Sequence, residues 1–168
     1  MNILITGNPG SGKTSVSEVL EQKGYIVHDA DEGFGQWIHK ISGKKRYSRP
    51  TVNREDYYWV WRVQKIKRLL KDKKVNLVFF CGIASNQAEL YKDFDKIMML
   101  NCDLEIIKQR LRDRRNNPFG KRTPDLDWAR ENQDYIQLQL PKAKVIEIDA
   151  NQSLDKVVDE VIKIANEG

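Results

Sequence analysis

The sequence predicts an α/β fold of three layers, with helices covering both faces of a five-stranded parallel sheet. Three observations predict it. Short apolar, β-prone runs recur at residues 2–6, 25–27, 75–81, 97–100 and 145–149. Between them lie stretches with apolar residues at helical spacing, such as Leu154, Val157, Val158, Val161, Ile162 and Ala165. A glycine-rich stretch, Gly7-Asn8-Pro9-Gly10-Ser11-Gly12-Lys13-Thr14, joins the first run to the first helical pattern. Strands that alternate with helices are joined by right-handed crossovers, which makes the sheet parallel and covers both faces. With 168 residues, the chain is expected to form one domain, 1–168, with a sizeable core.

Residues 2–6 read as a buried strand. The helix after the glycine-rich stretch carries Val16, Val19 and Leu20 and runs to about Lys23, with Gly24 as its C-terminal cap. Tyr25-Ile26-Val27 is a second strand, ending in His28-Asp29-Ala30-Asp31. Phe34, Trp37, Ile38 and Ile41 match an i, i+3, i+4, i+7 pattern and predict a helix. A polar, basic loop follows from Ser42 to Asn53, broken by Gly43 and Pro50. Asn53 can cap a long helix over Arg54 to Leu70, with Glu55 and Asp56 in its first turn. Val75 to Cys81 reads as a central strand ended by Gly82. Ser85 can cap a short helix through Tyr91, and Ile97 to Leu100 is a fourth strand. Asp103 caps a helix whose apolar face is Leu104, Ile107 and Leu111, with Arg110 and Arg114 one turn apart on another face. Asn116 to Arg122 cannot be helical, and Thr123-Pro124 restarts a helix. Val145 to Asp149 is the fifth strand, and Ser153 caps the last helix.

Composition is ordinary for a soluble globular protein, at 40% hydrophobic and 32% charged residues. No apolar run reaches the ~18 residues that a membrane span needs, and the first strand begins too early for a signal peptide. A cytoplasmic protein, monomer or homodimer, is expected. Cys81 and Cys102 each end an apolar run and read as buried free thiols of a reducing compartment. Residues 108 to 122 hold seven basic side chains and one acid, so this stretch contributes +6 and the rest of the chain −1 to the net +5. An excess so local suits a phosphate-handling segment and argues against a nucleic-acid partner.

The glycine-rich stretch carries the full G-x-x-x-x-G-K-[ST] pattern in its strand-to-helix context. Its backbone N–H groups, from Asn8, Pro9, Gly10, Ser11 and Gly12 on to Thr14 and Ser15 (the proline contributing backbone shape only), would cradle phosphate oxygens at a helix N-terminus. Lys13 would reach the β- and γ-phosphates of ATP, and the Thr14 hydroxyl would ligate Mg²⁺. Asp29 and Asp31 lie two residues apart just past a strand. One can hold Mg²⁺ and the other orient or deprotonate a substrate hydroxyl; the alternative is N-capping by Asp31. His28 points to the other face and reads as structural. Trp59, Trp61 and Arg62 fall on the expected long helix. Aromatics at 57, 58, 59 and 61 would wrap most of its circumference, so some face a cleft or solvent, and Arg62 can bind an anionic substrate group. Arg130 can face the same cleft. The arginine-rich segment 112–124 can close as a lid, with Arg115 offsetting charge on the transferring phosphoryl group. Cys81 stands where many phosphate-loop NTPases carry the acid that holds Mg²⁺, so that acid would come from strand two.

Together these residues resemble the adenylate kinase and shikimate kinase-like branch of the phosphate-loop NTPases. The likeness rests on the loop Gly7 to Thr14, Asp29-Ala30-Asp31 after strand two, Arg62 about twenty residues before Gly82, the basic lid, and Ile148-Asp149-Ala150-Asn151 after the closing strand. It implies a metal-linked Asp29, a substrate-binding Asp31, acceptor contacts from Arg62 and Gly82, and nucleotide contacts from Arg110, Arg114 and Asn151. It implies a kinase that moves a phosphoryl group from ATP to a small hydroxylated or phosphorylated metabolite. An ATP-binding regulatory protein and a polynucleotide 5′-kinase are the alternatives. The chain departs from shikimate kinases in having Gly82 alone after strand three and in its aromatic-rich segment.

Overall fold

The computed structural model describes residues 1–50, 54–72, 76–113 and 145–167. Five strands form the main sheet: β1 (Asn2–Gly7), β2 (Ile26–Asp29), β6 (Val78–Cys81), β7 (Lys96–Asn101) and β8 (Val145–Asp149). Their order is β2-β6-β1-β7-β8, and every pairing is parallel. Successive side chains of a strand point to opposite faces, so each strand feeds two cores. Ile3 and Ile5 of β1 pack with Phe79, Met98 and Leu100 beneath α1 (Lys13–Gln22), α3 (Leu104–Asp113) and α4 (Leu154–Asn166). Leu4 packs with Phe80, Ile97 and Met99 on the other face, beneath Trp61 and α2 (Val63–Leu70). Fully burying each such side chain contributes roughly 1.5–3 kcal/mol. The five parallel strands and the helix-covered faces agree with the sequence reading.

A second sheet was not foreseen. β3 (Gly35–His39) pairs antiparallel with both β4 (Lys45–Arg46) and β5 (Tyr57–Trp61), in the order β4-β3-β5. Two expected helices are corrected by it. The one read over Phe34 to Ile41 is β3: Gly33 and Gly35 disfavour a helix, and Ile41, assigned to its apolar face, is 92% exposed. The long helix over 54–70 divides into a 3₁₀ turn (Arg54–Asp56), strand β5 and helix α2. Tyr57-Tyr58-Trp59-Val60-Trp61 is aromatic and β-branched throughout, a composition that favours a pleated surface. The loop from Ser42 contains β4, and the short helix toward Tyr91 is a 3₁₀ segment, Gln87–Asp93. The N-cap Asn53, the restart at Thr123 and the lid beyond Asp113 lie outside the described residues.

Candidate active site

The phosphate loop leaves β1 at the carboxyl end of the sheet. Gly12 stands just before α1 with φ +105°, a left-handed value that an L side chain rarely adopts. The Ser11 N–H donates to the Asn8 carbonyl at 3.0 Å and closes the loop. Lys13 folds back over it, its Nζ donating to the Gly7 and Asn8 carbonyls at 2.7 and 2.9 Å. Thr14 and Ser15 are exposed in the first turn of α1, where the dipole favours anions. Inside the loop, Asn8 Oδ1 and Ser11 Oγ are buried without hydrogen-bond partners among the described residues. Buried polar atoms are rarely left so unless a ligand or water completes them.

Arg110 reaches the same loop from α3. Its Nη1 donates to the Ser11 carbonyl at 3.3 Å and touches Cys102 Sγ at 3.5 Å, while Nη2 donates to the Ala150 carbonyl at 3.0 Å. The guanidinium thus bridges the phosphate loop and the segment after β8. There Asn151 Oδ1 accepts from the Asp103 N–H at 2.8 Å. Asn151 also lines a cavity of about 270 Å³ with Asn101, Asp103, Glu147, Ile148 and Asp149.

Asp29 ends β2 in register with Cys81 of β6. Its Oδ1 accepts from the Asp31 N–H at 2.8 Å, a turn that re-aims the chain. No helix begins at Asp31, so the N-cap alternative falls. Instead Asp31 Oδ1 accepts two indole N–H bonds, from Trp59 at 2.9 Å and Trp61 at 3.1 Å. Burial pushes the Asp31 carboxyl up, Asp29 adds to that, and the two indoles and Lys13 oppose it. Gly82 lies against this group: a Cβ there would stand 3.0 Å from the Trp61 ring and 3.3 Å from Asp31 Oδ1. Asp31 and Gly82 are therefore brought together as the sequence suggested.

Arg62 stands at the start of α2. Its Nη2 donates to the Gly33 carbonyl, and its guanidinium lies 5.5 Å from the Tyr47 ring centre. Its Nε is buried with no partner among the described residues. Lys65 Nζ donates to the same Gly33 carbonyl at 3.0 Å, so two cations converge beside the Asp31 turn. Arg114, Arg115 and Arg130 lie outside the described residues. Sequence reasoning missed the bonds from Trp59 and Trp61 to Asp31. Their spacing of two, read as strand rather than helix, is the signal that finds them.

The AAA domain family matches residues 3–138. A putative adenylate kinase from Methanocaldococcus jannaschii is 32% identical over 97% of this chain and 85% of its own length. A UMP-CMP kinase from Sus scrofa is 26% identical over 96% of this chain and 95% of its own. Among solved structures, a deoxyadenosine kinase from M. mycoides with bound dATP superposes with a TM-score of 0.63 at 13% identity, covering 99% of this chain and all of that one. A gluconokinase from Sinorhizobium meliloti does so with a TM-score of 0.57 at 20% identity, over 98% and 93%. These two likenesses concern the fold. With the phosphate loop at the head of α1 and a matched family over most of the chain, this protein belongs to the AAA domain family and is a small phosphate-loop kinase.

Proposed function

We propose that the protein transfers the γ-phosphoryl group of ATP to a small metabolite bound between the phosphate loop and the second sheet. The observation that carries this reading is the shared end of the sheet: the phosphate loop follows β1 and Asp31 follows β2 at the same carboxyl end of parallel strands. In the reaction an acceptor oxygen bonds to the γ-phosphorus as the bond to the β–γ bridging oxygen breaks, releasing ADP. For a hydroxyl acceptor the proton goes to Asp31.

The loop amides of Asn8, Gly10, Ser11, Gly12, Thr14 and Ser15 hold the triphosphate, and Lys13 moves from the Gly7 and Asn8 carbonyls onto the β- and γ-oxygens. Arg110 and Asn151 stand on the nucleoside side. Arg62, Gly82 and Arg130 form the acceptor site, while Arg114 and Arg115 belong to a lid over 112–124. Mg²⁺ fits this donor set. Thr14 offers an exposed hydroxyl, Asp29 offers one carboxylate, and the described residues hold no cluster of three metal-ligating side chains. Thr14 and Asp29 would hold such an ion together with phosphate oxygens and water, and it would offset charge on the β- and γ-oxygens. Chemistry of this kind needs a supply of ATP, and we take its compartment to be the cytoplasm. Among the described residues no helix is long and apolar enough to cross a membrane.

A nucleoside monophosphate acceptor is a second reading, favoured by the 32% identical relative. The test is ADP release from ATP and Mg²⁺ with AMP, UMP, CMP, deoxyadenosine or gluconate as acceptor. Lys13→Ala is expected to abolish transfer while melting normally. Transfer that persists in clean Lys13→Ala protein overturns the mechanism.

A further inference from the structure

We propose that Trp59 and Trp61 are positioning residues for the reaction: their two indole N–H groups hold one carboxylate oxygen of Asp31 and so fix the other toward the acceptor. The proposal rests on the kinase reading above, with Asp31 at the acceptor.

The two bonds end on a single atom, Oδ1, at 2.9 and 3.1 Å. Oδ2 takes no hydrogen bond from the described residues. A carboxylate pinned at one oxygen by two donors has lost its rotation about the Cβ–Cγ bond, and its free oxygen keeps one direction. Hydrogen bonds to a charged acceptor are the strong ones, so two of them exceed the entropy of ordering one short side chain.

The arrangement is built, not incidental. Trp59 and Trp61 alternate along β5, so both project from the same face. In a helix, two positions apart would send them to different sides. Glycines clear the space for both rings. A Cβ on Gly35 would fall 2.0 Å from the Trp59 ring, and one on Gly82 would fall 3.0 Å from the Trp61 ring. The backbone under the indoles is tied to the loop after β6. Asn86 accepts from the Trp61 N–H at 2.8 Å and donates to its carbonyl at 3.0 Å, and the Ser85 N–H donates to the Trp59 carbonyl at 2.9 Å. The donors are therefore fixed relative to the main sheet that carries the phosphate loop.

The decisive experiment needs only ATP with Mg²⁺, water serving as the acceptor that Asp31 orients. Trp59→Phe and Trp61→Phe keep the aromatic bulk and delete one donor each. Each is expected to lower kcat for ATP hydrolysis about tenfold, as misplacement of a reacting group does, with KM for ATP unchanged. In an Asp31→Asn background the same substitutions are expected to cost nothing further. A second readout is the indole N–H resonances: Asp31→Asn shifts those of Trp59 and Trp61. Should Trp61→Phe fail to fold, Trp59→Phe carries the test. Active wild-type protein whose Trp variants match it, or whose Trp variants lose as much in the Asp31→Asn background, overturns the positioning role alone. A wild type that transfers no phosphoryl group from ATP, to water or to any acceptor, overturns the kinase reading and this proposal with it.

Discussion

His28 and Cys81 show how the interior of the sheet sets the chemistry of single side chains. The His28 ring lies 5.0 Å from that of Phe80 and 6.3 Å from that of Phe34. Burial holds its pKa below the usual 6.5. The unfolded chain therefore binds a proton that the folded one refuses, and stability must rise with pH through this region. Urea midpoints measured from pH 5 to pH 8 are expected to fall as the solution becomes acidic, and His28→Phe should flatten that part of the slope. Cys81 is buried and its thiol is pushed up to about 12. Thiolate is the reactive form, so at pH 8 a thiol reagent should label Cys81 in denatured protein and leave it untouched in native protein. Fast labelling of Cys81 in the native state would contradict the packing at the end of β6.

Elements differ in how plainly the sequence announces them. The central strands β1, β6 and β7 are buried on both faces, so they read as nearly unbroken apolar runs, as Val78-Phe79-Phe80-Cys81 shows. The phosphate loop was legible for a different reason: its glycines, lysine and threonine sit at spacings set by what a phosphate group needs. The second sheet was not legible. Phe34, Trp37, Ile38 and Ile41 satisfy helical spacing by coincidence, and the packed aromatics of β5 show no period that decides between helix and strand. What settles them is tertiary: β3 and β5 pair with each other, and β5 docks on the loop after β6. For the same reason Asp31 could be singled out from its spacing to Asp29, while its indole partners could not. Gly35 is the element's weak point. Gly35→Ala forces the Trp59 ring to move, and a loss of about 1–3 kcal/mol in urea unfolding is expected from such overpacking. A variant as stable as the parent would show that the ring has room to shift.

At the scale of the molecule, the phosphate loop, the β2 acids and the second sheet all face the carboxyl end of one parallel sheet, where ligands of open α/β folds bind. A non-hydrolysable ATP analogue should therefore stabilise the whole chain by mass action, about 2.7 kcal/mol at a hundredfold excess over Kd. Its effect on the melting temperature is expected to shrink when EDTA removes the metal. Thr14→Ala should reproduce that loss with magnesium present. An analogue shift that EDTA and Thr14→Ala both leave intact would remove Mg²⁺ from the nucleotide site.

The second sheet supplies both donors to Asp31, and it is held to the main sheet by backbone and asparagine bonds and by Trp61, buried in one core with Leu4 and Phe80. Two competences thus depend on separable parts of the chain. In the proposed reaction the grip on the triphosphate falls to β1, α1 and α3, while alignment of the incoming oxygen falls to the second sheet. A shift of the two indoles alone would leave a protein still saturable by ATP but with Asp31 unaligned, and such a species would hold nucleotide without spending it.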